Sequence, residues 1–270
     1  MAERGGTSGT WWQRFTALPN NSARKTIIVT LTVALVCSVL VAGSAVLLKP
    51  LQIENKETAR RSHIAALSHI LEERYGSQIP ITLEVRLIDL ASGVVVTNVD
   101  PVSYDQRRAA ADPARQVMVP ADQDLAGLKT RAPWAVIYIA RRAGRLEMVM
   151  LPVRGRGFGS MLYGYLALGA DLEHVLGLSF HEHGETPGLG ALIDSQDWKR
   201  RWRGKIIRDG GIIKLGVAPG PVDPSSELAR YQVDALTGAT WTGMGVTNLL
   251  HYWLGPHGFG PYLAKLREGV

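Results

Sequence analysis

Asp234-Ala235-Leu236-Thr237-Gly238-Ala239-Thr240-Trp241-Thr242 spaces a carboxylate and a set of threonine hydroxyls through a short run that includes Gly238 and Ala239, too small to block a ligand. The run passes into Val246, Leu249, Leu250, Trp253 and Leu254, a spacing that predicts a helix with one apolar face. Thr242 is the expected N-cap, which leaves the next backbone N–H groups unpaired at the positive end of the helix dipole. A phosphate group belongs at such an end. Read alone, Thr-Gly-Ala-Thr is also the chemistry of an ordinary capped turn.

Two further stretches lie upstream. Gly155-Arg156-Gly157-Phe158-Gly159-Ser160 is glycine-rich and basic, but the strand-like Met161 to Leu168 follows it, so it is no dinucleotide fingerprint and reads as a tight turn. Phe180-His181-Glu182-His183-Gly184-Glu185-Thr186-Pro187-Gly188-Leu189-Gly190 crowds imidazoles and carboxylates together. His181, His183 and Glu185 are therefore candidate metal ligands of a membrane-anchored metal-dependent enzyme. Against that, histidines at i and i+2 point the same way only on a strand, and no further His or Cys cluster accompanies them.

Taken together, these stretches resemble a family of bacterial proteins that carry FMN covalently. Its flavinylation motif is Asp, two variable residues, Ser or Thr, Gly, Ala, Thr, any residue, Thr, and residues 234–242 match it throughout. The resemblance implies that the flavin phosphate is esterified to Thr240. It further implies that Gly238, Ala239 and Thr242 belong to the cofactor-binding segment and that Asp234 and Thr237 help a flavin transferase, using FAD as FMN donor, to recognise it. Glu185-Thr186-Pro187-Gly188-Leu189-Gly190 matches the family's second signature, in which Thr186 offers a hydroxyl to the isoalloxazine edge and Gly188, Leu189 and Gly190 let the backbone approach a flat ligand. An aromatic residue usually stands where this chain has Gly159, and Phe158 is the expected substitute. Lys205, after Trp198, Trp202 and Gly204, is a candidate to balance flavin charge, although a solvated lysine beside a core tryptophan reads equally well.

The ending Gly258-Phe259-Gly260-Pro261-Tyr262-Leu263 favours the branch formed by the C subunits of sodium-translocating NADH:quinone reductases over the branch formed by the G subunits of Rnf electron-transport complexes. The resemblance implies an electron relay without catalytic residues or a metal of its own, partnered by other membrane subunits of the reductase. It also implies an inner-membrane location, with the N-terminus in the cytoplasm and the main domain periplasmic.

Composition agrees with a folded, anchored domain. The chain has 270 residues, a net charge of +6 and a single cysteine, Cys37, so neither an intrachain disulfide nor a thiolate cluster can form. Its basic residues are scattered without aromatic interleaving, which argues against nucleic acid. Residues 1–25 form a polar lead-in, and 26–48 read as a transmembrane helix because no charge interrupts Ile27 to Leu48. A cleaved signal peptide is the rival, disfavoured by the length of the apolar run. Basic residues flank both ends almost equally, so charge bias leaves the orientation open.

Residues 49–270 read as one mixed α/β domain of α+β class with an antiparallel sheet. A helix is expected over Leu51 to Tyr75, a hairpin over Ile79 to Val99, and loop with some helix over 101–131. A second hairpin is expected from Trp134–Ala140 and Leu146–Val153.

Overall fold

The computed structural model describes residues 19, 22–44, 46–48 and 81–269. The chain divides into two compact units, Met1–Thr58 and Ala59–Val270. The helix expected over Leu51 to Tyr75 lies outside the described residues, as does most of the polar lead-in.

In the first unit helix α1 runs Ala23–Leu48, long and apolar enough to cross a membrane. At ~1.5 Å per residue it spans about 39 Å, more than the roughly 30 Å of a bilayer's hydrocarbon. It starts a little earlier than expected because Ser22 caps it, its Oγ accepting the Lys25 N–H at 3.3 Å. Leu31, Leu35, Leu40, Val41 and Leu47 are all exposed, an outer surface suited to lipid. Two polar side chains on it bond within the helix: Thr32 Oγ1 donates to the Ile28 carbonyl at 2.8 Å and Ser44 Oγ to that of Leu40 at 2.7 Å.

The second unit is built on a six-stranded antiparallel sheet. Its strands are β1 (Ile81–Asp89), β2 (Val95–Val96), β5 (Trp134–Arg142), β6 (Arg145–Arg156), β7 (Met161–Gly169) and β8 (Val175–Glu182), in the order β2-β1-β5-β6-β7-β8. The first expected hairpin is present with a short return strand, and its turn is held by Asp89 Oδ1, which accepts N–H groups from Ala91 and Ser92 at 3.1 and 2.8 Å. The second is tighter than expected. Its strands run on to Arg142 and restart at Arg145, leaving Ala143 and Gly144, both at positive φ, as a two-residue turn that matches the twist of the strands. β6 also overruns its expected end. Its pairing with β7 continues to Arg156↔Met161, so Gly155 and Arg156 lie in the strand and only Gly157 to Ser160 form the turn.

Residues 101–131 contribute α2 (Gln106–Ala111), capped by Asp105, and the small pair β3 (Val117–Met118) and β4 (Thr130–Arg131). After β8 come α3 (Gln196–Arg201), the hairpin β9 (Arg208–Asp209) and β10 (Ile212–Ile213), and the parallel pair β11 (Gly216–Val217) and β12 (Gln232–Val233). The chain ends in α4 (Thr240–Leu254) and α5 (Gly260–Glu268).

Alternation along the strands makes two apolar layers. Ile88, Ile137, Ile139, Val149, Leu151 and Phe180 face Trp198, Trp202, Trp253 and Phe259 from the helices. Leu87, Val136, Tyr138, Met148, Met150 and Tyr165 form the opposite layer. Helix α4 lies against β6, with Trp253 Nε1 donating to the Arg154 carbonyl at 2.7 Å. Val246, Leu249, Leu250 and Trp253 are all buried, and each of the three aliphatic side chains contributes about 1.5–3 kcal/mol.

His251 on α4 contacts the Leu215 carbonyl through Nε2 at 3.0 Å. Burial holds its pKa below the ordinary value, an effect partly offset by that bond. The folded state therefore binds fewer protons than the unfolded chain, so this contribution to stability is complete above the ordinary histidine pKa and falls as pH drops below it. The expected result is a steeper loss of unfolding midpoint between about pH 7 and pH 5 in the wild type than in His251→Gln. Equal slopes in chemical denaturation would remove this assignment.

Candidate functional site

Three segments distant in sequence meet at one side chain, Glu185. They are the β6–β7 turn, the stretch after β8 and the first turn of α4. The carboxylate is 5% exposed. Its Oε1 accepts the Gly159 N–H at 3.0 Å and its Oε2 accepts the Thr242 hydroxyl at 2.5 Å. Glycines close around it: a Cβ on Gly157 would lie 2.5 Å from Oε1, and one on Gly190 would lie 2.6 Å from Thr242 Oγ1 and 2.7 Å from Oε2. Ser160, outside the set expected from sequence, adds a further tie by accepting the Gly184 N–H at 2.5 Å.

The packing makes a direct prediction. Gly190→Ala forces the clasped pair apart and is expected to cost about 1–3 kcal/mol, read as a lowered denaturation midpoint. An unchanged midpoint would contradict this packing.

Thr242 does not cap the helix. Residues 236–239 form a turn, with the Ala239 N–H on the Leu236 carbonyl at 2.9 Å and Gly238 at φ +72°. Ala239 is the N-cap, and the first intrahelical bond runs from the Gly243 N–H to the Ala239 carbonyl at 3.1 Å. Thr240, Trp241 and Thr242 thus fill the first turn, where N–H groups have no intrahelical acceptor. Thr242 turns inward and is 1% exposed, whereas Thr237, Gly238 and Thr240 are exposed.

Apolar side chains are exposed in the same segments: Phe158 in the β6–β7 turn, Leu189 after β8, and Trp241 and Met244 on α4. Leu189 touches the motif, its Cδ2 standing 2.9 Å from where a Gly238 Cβ would be. Trp241 occupies a position that the motif leaves variable, so only its exposure marks it. Thr186 to Leu189 form a turn closed by the Leu189 N–H on the Thr186 carbonyl at 3.1 Å, with Pro187 second and Gly188 at φ +76° third. Proline presets the one position and glycine adopts the other without the steric cost a Cβ brings. A Cβ on Gly188 would meet nothing within 4 Å, so the turn presents open backbone, with Thr186 exposed beside it.

Asp234 and Lys205 bond to the neighbouring loops. Asp234 Oδ1 accepts the Val222 N–H at 2.7 Å and Oδ2 pairs with Arg201, which staples the preceding loop to the motif. Lys205 Nζ donates to the Ala229 carbonyl at 2.5 Å. Burial holds its pKa below the ordinary lysine value and the Asp234 carboxylate partly restores it. Both side chains are committed to loop structure.

The histidine-rich stretch divides between two sets of partners. His181 stacks on Tyr165 at 5.3 Å, and its Nε2 faces the Arg107 guanidinium at 3.2 Å. That guanidinium lies 3.7 Å from the centre of the Tyr163 ring and bonds Glu182 at 2.6 Å. His183 goes elsewhere: Nδ1 accepts the Glu185 N–H at 3.2 Å, leaving Nε2 to donate to Asp194 at 2.8 Å. Among the described residues, no group of three or more His, Cys, Asp or Glu side chains is placed to hold a metal ion.

A family profile described as "FMN-binding domain" matches residues 157–255, the interval containing every segment that meets at Glu185. The chain is 44% identical to the C subunit of the Na(+)-translocating NADH-quinone reductase from Pseudomonas aeruginosa over 92% of its own length and 97% of that protein's. It belongs to that C-subunit family. The family relative from Yersinia pestis is 37% identical over 93% of this chain and 96% of its own. The crystal structure of Shewanella oneidensis NqrC shares the fold, with TM-score 0.68 and 28% identity over 80% of this chain and 99% of that one.

The residues present fit the family's flavin nucleotide. The first-turn N–H groups of α4 suit its phosphate, the open backbone at Gly188 suits close approach, and Phe158, Leu189 and Trp241 suit an aromatic ring system.

Proposed function

We propose that this chain is the FMN-carrying, membrane-anchored electron-transfer component of a Na(+)-translocating NADH-quinone reductase, with the flavin held through a phosphoester on Thr240. The observation that carries the attachment is the exposed Thr240 hydroxyl at N1 of α4, beside first-turn N–H groups that have no intrahelical acceptor. In maturation, a flavin transferase presents FAD to this hydroxyl. Thr240 Oγ forms the new bond to phosphorus, the pyrophosphate P–O bond breaks, AMP leaves, and the hydroxyl proton passes to the transferase or to AMP. Thr240 is thus an anchor and takes no part in electron transfer.

Bound there, FMN supplies reversible one- and two-electron redox chemistry. This chain's residues orient and shield it. With FMN bound, the first-turn N–H groups of α4 would hold the phosphate, Phe158, Leu189 and Trp241 would wall the ring, and Thr186 would offer it a hydroxyl. Asp234 and Thr237 shape the segment that the transferase recognises. Helix α1 holds the domain at the bacterial inner membrane with residues 1–25 in the cytoplasm and the FMN domain in the periplasm, where the other membrane subunits of the reductase exchange electrons with it. A covalent link keeps a soluble cofactor from diffusing away there.

The test is the colour of the full chain. Co-expressed with a flavin transferase, it is expected to purify yellow and to keep its flavin absorbance through denaturation and gel filtration. A colourless chain from cells with demonstrably active transferase would overturn the proposal.

A further inference from the structure

Glu185 is a buried carboxylate, and among the described residues no basic side chain pairs with it. Leaving such a group in an interior is costly unless hydrogen bonds compensate it, and an apolar side chain would fill the space at lower cost. Here both oxygens are used. One holds the β6–β7 turn through the Gly159 N–H, and the other holds the first turn of α4 through the Thr242 hydroxyl. Gly157 and Gly190 press so closely on the pair that a Cβ on either glycine would collide with it. Glu185 is 5% exposed and Thr242 1%, so both side chains lie beneath the surface that a ligand would meet.

The geometry points to a clasp: we propose that Glu185 and Thr242 are positioning residues that fix the rotation of the α4 N-terminus, so that Thr240 faces outward to receive the flavin nucleotide. This rests on the reading of Thr240 as the attachment point, and it assigns the two side chains a role before the cofactor arrives rather than contact with it. Helix geometry supplies the lever. Thr240 and Thr242 are two residues apart on a 3.6-residue turn, so they project about 200° from each other. Holding Thr242 inward therefore holds Thr240 outward. Without the Glu185 bond, Ala239 offers no side-chain cap to set the start of the helix. The chemistry of the acceptor step is unchanged: Thr240 Oγ bonds to phosphorus as the FAD pyrophosphate bond breaks and AMP departs. The clasp alters only how often Thr240 is presented for it.

The experiment measures the rate of flavin incorporation into the full-length chain, made without transferase and then supplied with purified flavin transferase and FAD. Thr242→Val and Glu185→Gln are expected to incorporate flavin about ten-fold more slowly than wild type, the rate equivalent of one charge-assisted hydrogen bond. Thr242→Ser, which keeps the hydroxyl, is expected to stay close to the wild-type rate. Rescue by serine is the readout that loss of packing alone would not give. Wild-type rates in both Thr242→Val and Glu185→Gln, with Thr240→Ala blank, would overturn the clasp and leave the attachment site standing. Flavin on Thr240→Ala would instead overturn the attachment reading. Should Glu185→Gln fail to fold, the Val and Ser variants at 242 decide alone, equal rates overturning the clasp.

Discussion

Thr240→Ala, expressed as the full chain with an active flavin transferase, is expected to give a band with no flavin fluorescence on a denaturing gel, against a bright wild-type band. The expected effect is total because one oxygen carries the link and its neighbours cannot replace it. Thr242 is buried against Glu185, and Thr237 precedes the helix, outside the first-turn N–H groups that gather the phosphate. Folding should be untouched, since Thr240 is exposed and the N-cap of α4 is Ala239. Exposed substitutions of this kind stay within about 0.5 kcal/mol. A bright Thr240→Ala band would place the link on another residue, and a lost melting transition would show that the side chain is structural.

The largest effect on stability is expected at Gly245. A Cβ there would stand 2.3 Å from the Arg156 carbonyl oxygen and 3.1 Å from the Gly157 Cα. Both neighbours are backbone, so no rotamer change relieves the clash. Gly245→Val must lift α4 from β6, and with it the buried Val246, Leu249, Leu250 and Trp253. The loss should reach about 3 kcal/mol or more, out of the roughly 5–15 kcal/mol that a domain has. Denaturant titration checks it, with exposed Met244→Ala on the same helix as the near-neutral control. A Val variant as stable as the wild type would contradict the helix–sheet contact that positions the site.

Much of this architecture is legible in the chain because its signals are local. The apolar spacing from Val246 to Leu254 marks α4, the alternation at Leu83 to Leu87 marks β1, and Pro187-Gly188 marks the turn that closes on Thr186. The motif with Thr240 is also local, so resemblance reaches it directly. The features that sequence alone does not reveal depend on long-range contact. Thr242 has the chemistry of an N-cap, yet its hydroxyl is taken by Glu185 from far along the chain, and the Gly238 turn starts the helix earlier. His181 and His183 share a spacing that suggests a metal, but the β7–β8 register shifts opposite His181, β8 stops at Glu182 before His183, and the two bond to Arg107 and Asp194 respectively. β6 runs through Gly155 because β7 pairs with it, a partner no local pattern reveals. Lys205 is a charge candidate only by its proximity in sequence, and its ammonium is instead held by Ala229.

The most direct test of the central claim is fragmentation mass spectrometry on the proteolytic peptide that spans residues 231–254, taken from full-length chain matured with its transferase. The account predicts a peptide heavier by FMN less one water, with the added mass confined by the fragment series to Thr240. An unmodified peptide, or the same added mass on Thr237 or Thr242, would contradict it.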